Sequence, residues 1–160
     1  ELRRRLRIVQ QARAEDLDAV VAAYRASGIV AEVAAFFKDL PERMAKAQLV
    51  VGRSGASTVA ELTVVGRPSI LVPLPHALDN DQLQNAARLA ESGAAWCIQQ
   101  KELSPEGLAR DIAALLNDPD KLAAAAAAAQ SLGRPDAVER LADLVEEFVR
   151  PHHVRWQPAP

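Results

Sequence analysis

The sequence predicts an α/β protein, a Rossmann-like parallel sheet with helices on both faces, followed by a wholly helical C-terminal segment. Three observations predict it. Short apolar runs alternate with stretches of helical periodicity, Gly or Pro punctuates many of the junctions, and beyond residue 98 only the helical period persists. Repeated β–α units imply strands that all run the same way and are wrapped by their crossover helices.

The elements follow in order. Leu6 to Gln10 reads as a strand, and Glu15 to Ser27 as a helix, with Leu17, Val20, Val21 and Tyr24 on one side and Gly28 as its stop. Ile29 to Phe36 reads as a second strand, and Leu40 to Ala47 as a short helix with Pro41 in its first turn. Leu49 to Val51 is a short continuous apolar run, as in a strand covered on both faces. A helix from Thr58 to Val65 closes at Gly66, and Pro68 to Val72 is the next buried strand. Asp79 to Ser92 reads as a helix and Ala94 to Ile98 as the fifth strand. Ser104 and Pro105 then start a helix as N-cap and first residue. Asp118 to Leu132 holds the run Ala123 to Ala129, read as helix because Ala is the best helix former. Pro135 to Val149 is the last helix. Residues 1–149 thus form one domain, and 150–160 an irregular tail rich in proline.

Composition narrows the function. A chain of 160 residues with 49% hydrophobic and 25% charged residues suits one globular domain with a sizeable core. A net charge of −2 gives no electrostatic case for nucleic acid or for an anionic membrane. Arg3, Arg4, Arg5 and Arg7 are the local exception and read as a solvated strand entrance. The single cysteine, Cys97, allows no internal disulfide and lies in an apolar run, as a buried small hydrophobe does. No apolar run approaches the roughly 20 residues of a membrane span, and no apolar stretch of a signal peptide follows the charged opening. The chain opens at Glu1 directly before a strand-like run, without a linker, so a fragment is expected. His152 and His153 are adjacent and do not converge without other ligands, so no metal site is expected.

Ligands of parallel α/β sheets sit beyond the carboxyl ends of the strands, and three segments fall there. The first is Arg53 to Glu61. Its small residues allow close approach to the backbone, and the free N–H groups of a helix start suit a diphosphate. Ser54, Ser57 and Thr58 add hydroxyl donors. Glu61, about one turn in (~3.6 residues), suits ribose hydroxyls better than a phosphate that would repel it. A capped helix start with no ligand accounts for the same pattern. The second is Pro73 to Ala86, a proline-bearing loop and a polar helix start. Asp79, Asn80, Asp81, Gln82 and Asn85 there have the chemistry to bond a polyol; Asp79 alone equally suits an N-cap. The third is Ala35 to Asp39, where Phe36 and Phe37 either flank a flat base or pack into the core.

Together these segments resemble the C-terminal domain of the MurG family of GT-B glycosyltransferases. GRSGASTVAEL at 52–62 is similar to that family's R-[SA]-G-A-x-T-x-x-E element. Gly66-Arg67-Pro68, Val72-Pro73, DNDQLQNA at 79–86, ESGAA at 91–95 and Pro135-Asp136-Ala137 follow in familial order. The resemblance covers Leu6 to Val149. It implies the C-terminal half of a GT-B fold that binds UDP-N-acetylglucosamine for transfer to lipid I, giving lipid II at the cytoplasmic face of the bacterial inner membrane. It also implies the site residues. The backbone at Phe37 meets uracil, Ala56, Ser57 and Thr58 lie near the sugar and phosphates, Glu61 binds ribose, and Gln82 binds the sugar hydroxyls; Ser54 and Asn85 complete the set. Asp81 stands where some members have Gln or His. No cofactor and no metal are implied. The resemblance places no catalytic residue in this chain, because the acceptor site and general base belong to an N-terminal domain through which membrane contact is also expected. A further strand and a glycine-rich diphosphate loop are expected before Leu6 and are not found there. The chain alone is therefore expected to be soluble and inactive. A stand-alone donor-binding subunit of a split transferase, or a GT-B enzyme with another UDP-sugar or a diacylglycerol acceptor, are the alternatives.

Overall fold

The computed structural model of the chain describes residues 2–76 and 80–149. The expected roles of Asp79, the tail 150–160 and its His152 and His153 lie outside the described residues.

The first β–α unit is a parallel pair. Strand β1 (Arg7–Gln11) lies beside β2 (Val30–Ala34), in register from Arg7 opposite Val30 to Gln11 opposite Ala34. The crossover is α2 (Leu17–Ser27), entered through a 3₁₀ turn at Ala14–Asp16. It stops at Gly28, which takes the left-handed conformation (φ 69°) that lets Ile29 N–H reach back to the Tyr24 carbonyl at 3.2 Å. Arg3, Arg4 and Arg5 lie exposed on a helical turn, α1 (Leu2–Arg5), rather than in a strand entrance, while Arg7, also exposed, opens β1. Leu and Arg are good helix formers, and the exposed side chains of Arg3, Arg4 and Arg5 leave that propensity to decide.

The second sheet is β3 (Val50–Gly52), β4 (Ser69–Leu71) and β5 (Ala95–Cys97), parallel in the order β3-β4-β5. The strands are parallel throughout, as the β–α alternation demands, but come as two separate ladders of two and three strands. Val9 on β1 and Val51 on β3 remain 48% and 44% exposed. The helix α3 (Leu40–Lys46) leads from β2 into β3, and α4 (Ala56–Val64) and α5 (Asp81–Glu91) cross over between the strands of the second sheet. The helix α4 begins at Ala56, two residues before the expected Thr58, with Gly55 as its N-cap in an extended conformation.

The core lies around this second sheet. Met44, Leu62, Leu71, Ala86, Leu89, Ala94, Ala95 and Ala129 pack together, all buried. Three helices follow: α6 (Pro105–Leu116), α7 (Pro119–Leu132) and α8 (Ala137–Val149). Ser104 Oγ accepts the Gly107 N–H at 3.1 Å and Asp118 caps α7 through the Lys121 N–H at 3.0 Å. The alanine run is helical and serves close packing. Buried Ala125 and Ala129 let α7 lie against α4, and beyond them Gly133 touches the α4 backbone. No residue of α8 is buried.

Candidate functional site

Two of the three segments are locked to each other at the carboxyl ends of β3 and β4. Arg53 donates through Nη1 to the carbonyls of Val72 and Pro73, both at 3.1 Å. Ser54 is 0% exposed, and its Oγ donates to the Gln82 carbonyl at 2.7 Å. Asn85 Nδ2 returns a bond to the Ser54 carbonyl at 3.1 Å. Gln82 Oε1 accepts the Leu74 N–H at 3.0 Å. The loop after β3, the loop after β4 and the first turns of α5 therefore form one braced unit.

This bracing assigns work to residues expected to meet a ligand. Ser54 is buried with its hydroxyl engaged, and Asn85 is spent on the same loop. Ala56 and Ser57 are exposed and Thr58 is half-buried, at the first turn of α4. No side chain caps that turn, and the first helical bond runs from Val59 N–H to the Gly55 carbonyl at 3.0 Å. The N–H groups of Ala56, Ser57 and Thr58 precede that bond and face outward from the helix start. Glu61 is exposed one turn further on. A Cβ added at Gly55 would meet nothing within 4 Å, and its φ of −61° is ordinary, so neither space nor backbone conformation requires glycine there. Exposed small residues in the first turn of an uncapped helix start, Ala56 and Ser57, leave room for an anionic group to approach the backbone.

The third segment, 35–39, is held by a separate cluster. Phe37 is buried and Phe36 is 70% exposed, so the side chain offered to solvent is Phe36, while Phe37 has only its backbone to offer. The Arg43 guanidinium lies 4.4 Å from the Phe37 ring centroid and donates to Glu32 at 2.8 and 3.0 Å and to Asp39 at 2.8 Å. Those bonds, first the pair to Glu32 and then that to Asp39, raise the Arg43 pKa. The Arg43 bond in turn holds the Asp39 carboxyl below its ordinary value. Burial, and then the charge of Glu102, pushes the Cys97 thiol up, which keeps it protonated and poorly nucleophilic at neutral pH. Among the described residues no group of three His, Cys, Asp or Glu side chains converges on a metal position, and no helix is long and apolar enough to cross a membrane.

Sequence reasoning gives no role to Arg53 or Arg43. Arg43 carried a signal, since it stands four residues after Asp39, the spacing of a helical ion pair. Arg53 carried none, because its acceptors are backbone carbonyls that any residue supplies.

Comparison with known proteins gives the family. Residues 1–141 match the sequence model of the glycosyltransferase family 28 C-terminal domain. The chain is 62% identical over 147 residues to a protein of Methylobacterium sp. (strain 4-46), and 59% identical over 145 residues to one of Rhodospirillum centenum. Both relatives are named UDP-N-acetylglucosamine–N-acetylmuramyl-(pentapeptide) pyrophosphoryl-undecaprenol N-acetylglucosamine transferase. Each alignment covers 91% of this chain but only 40% and 38% of the relative, so the chain spans about two fifths of the length of the curated relatives it matches. Among solved structures, MurG of Acinetobacter baumannii superposes with a TM-score of 0.82 at 32% identity, over 89% of this chain and 43% of that one. The glycosyltransferase VinC shares the fold at a TM-score of 0.61 and 20% identity, over 92% of this chain and 43% of its own. With the family model matched along residues 1–141, this chain belongs to glycosyltransferase family 28 as a C-terminal domain.

Proposed function

We propose that this chain is the donor-binding half of an inverting N-acetylglucosaminyltransferase, whose longer protein transfers N-acetylglucosamine from UDP-N-acetylglucosamine to lipid I at the cytoplasmic face of the bacterial inner membrane. The observation that carries the reading is the braced pair of loops. Five side-chain bonds hold an uncapped helix start, Glu61 and Gln82 on one braced platform.

Each group then has a role that its surroundings allow. The N–H groups of Ala56, Ser57 and Thr58, at the positive end of α4, take the diphosphate and the nearby sugar. Glu61 accepts from the ribose hydroxyls. Gln82 uses its amide oxygen on Leu74, which orients the amide and leaves its two N–H donors for sugar oxygens. Backbone groups at Phe37 read the uracil edge. Ser54 and Asn85 hold the platform from within. The chemistry proposed is direct in-line attack by the acceptor hydroxyl on the anomeric carbon. This half positions the donor and stabilises the departing UDP, while the base and the acceptor site lie in the remaining part of the longer protein.

Calorimetry with UDP and ADP tests the proposal. The chain is expected to bind UDP in preference to ADP. Equal binding of the two would remove the base site at residues 35–39.

A further inference from the structure

We infer that Arg43 is a positioning residue for the base-reading loop 35–39, holding its backbone in the conformation that receives the nucleotide base; this rests on the base site proposed above. One guanidinium contacts the loop at Phe37 and Asp39 and ties it to the strand before it. Nη1 and Nη2 form a bidentate pair with Glu32 on β2, before the loop, and Nε bonds Asp39 at the loop's end, as α3 begins. The flat face of the group lies over the Phe37 ring between those two points. The Arg43 side chain is largely covered, while both carboxylates are more than half exposed, so the arginine is the hub of the cluster.

The arrangement separates a positioning role from a ligand contact. The cluster places one positive charge against two negative ones, which makes it a poor seat for a phosphate. Its Nε, Nη1 and Nη2 each already donate to a carboxylate. What Arg43 controls is where the Phe37 backbone stands. Reading a base by main-chain N–H and C=O groups demands that those groups be ordered before the ligand arrives, because ordering them on binding subtracts from affinity. Lysine cannot substitute, since a single ammonium does not supply a bidentate fork, a third directed bond and a stacking face together.

The test uses Arg43→Lys and Glu32→Gln, the second keeping the arginine but removing the charge of its bidentate partner. Without ligand, amide hydrogen exchange at residues 35–39 is expected to quicken in both variants, while amides of β4 and α5 keep their protection. In calorimetry, UDP, UMP and uridine are each expected to bind about tenfold more weakly to Arg43→Lys, and inorganic pyrophosphate as it binds the unaltered chain. In the longer protein the donor KM should rise with kcat retained. Unchanged exchange in the loop would overturn the positioning role, as would uridine affinity left intact by Arg43→Lys. If the unaltered chain fails to prefer UDP over ADP, the base site itself is wrong and the inference falls with it. Loss of protection throughout the fold would show a purely structural residue and overturn it too.

Discussion

Replacing Ser54 by alanine separates a brace from a ligand contact. The Ser54 hydroxyl is wholly buried and donates to the Gln82 carbonyl at 2.7 Å. Alanine removes the donor and leaves that acceptor behind. Stranding a buried partner costs about 1–3 kcal/mol. Gln82 is the second residue of α5, so its carbonyl also stands where the helix ladder offers the Ala86 N–H. It is therefore not wholly orphaned, and the lower part of the range applies, about 1–2 kcal/mol. With a urea slope of about 2 kcal/mol per M, the unfolding midpoint should fall by roughly 0.5–1 M. The other bonds of the platform, from Arg53, Asn85 and Leu74 N–H, remain. UDP affinity measured by calorimetry under native conditions should then change by no more than about threefold, or ~0.7 kcal/mol. A midpoint that stays put while UDP affinity drops tenfold or more would refute the reasoning. Ser54 would then meet the ligand, and its burial would describe only the unliganded state.

Three further outcomes are expected. In the longer protein, Glu61→Ala should weaken UDP and the UDP-sugar alike, by about 1–3 kcal/mol for a lost charged hydrogen bond, whereas Gln82→Ala should impair donor kcat/KM and sugar discrimination and spare UDP inhibition; equal loss of UDP affinity in both would make Gln82 a support of the platform instead. Gly133→Ala should lower stability by about 1–3 kcal/mol in urea unfolding, because its Cβ would stand 2.8 Å from the Thr63 carbonyl oxygen and 3.1 Å from Val64 Cα, backbone atoms that cannot swing aside; a midpoint equal to that of the parent chain would contradict the close α4–α7 approach. The third concerns pH. Asp39 is held below its ordinary value by Arg43, so its contribution is complete above the unfolded value, about 3.9, and is lost as pH falls through the lower folded value. Exchange protection of loop 35–39 should therefore hold from neutral pH down to about 4 and decline below, and Asp39→Asn should flatten that acid limb.

The order and kind of the elements were legible because each repeats a local rule. Apolar runs such as Leu49 to Val51 and Pro68 to Val72 mark strands, although only the second is covered on both faces while Val51 on β3 stays 44% exposed, and Gly28, Gly66 and Pro105 stop or start helices by backbone geometry alone. The motif at 52–62 and the polar start of α5 were likewise visible, and they place the candidate site at the carboxyl ends of β3 and β4. What the side chains do there was not. Ser54, Asn85, Ser57 and Gln82 look alike in sequence as small or amide polar groups. Only packing decides that Ser54 and Asn85 turn inward to tie two loops together, that Ser57 stays outside, and that Gln82 spends half its amide on Leu74. The division of the strands into two ladders, and the choice of Phe37 for the interior with Phe36 left outside, are of the same kind. Periodicity and turn chemistry act over a few neighbouring residues, so one chain suffices to read them. Hydrogen-bond partners 28 and 31 residues apart, as in the Ser54 bonds to Gln82 and Asn85, are chosen by which surfaces the fold brings into contact, and that choice exists only once the tertiary structure has formed.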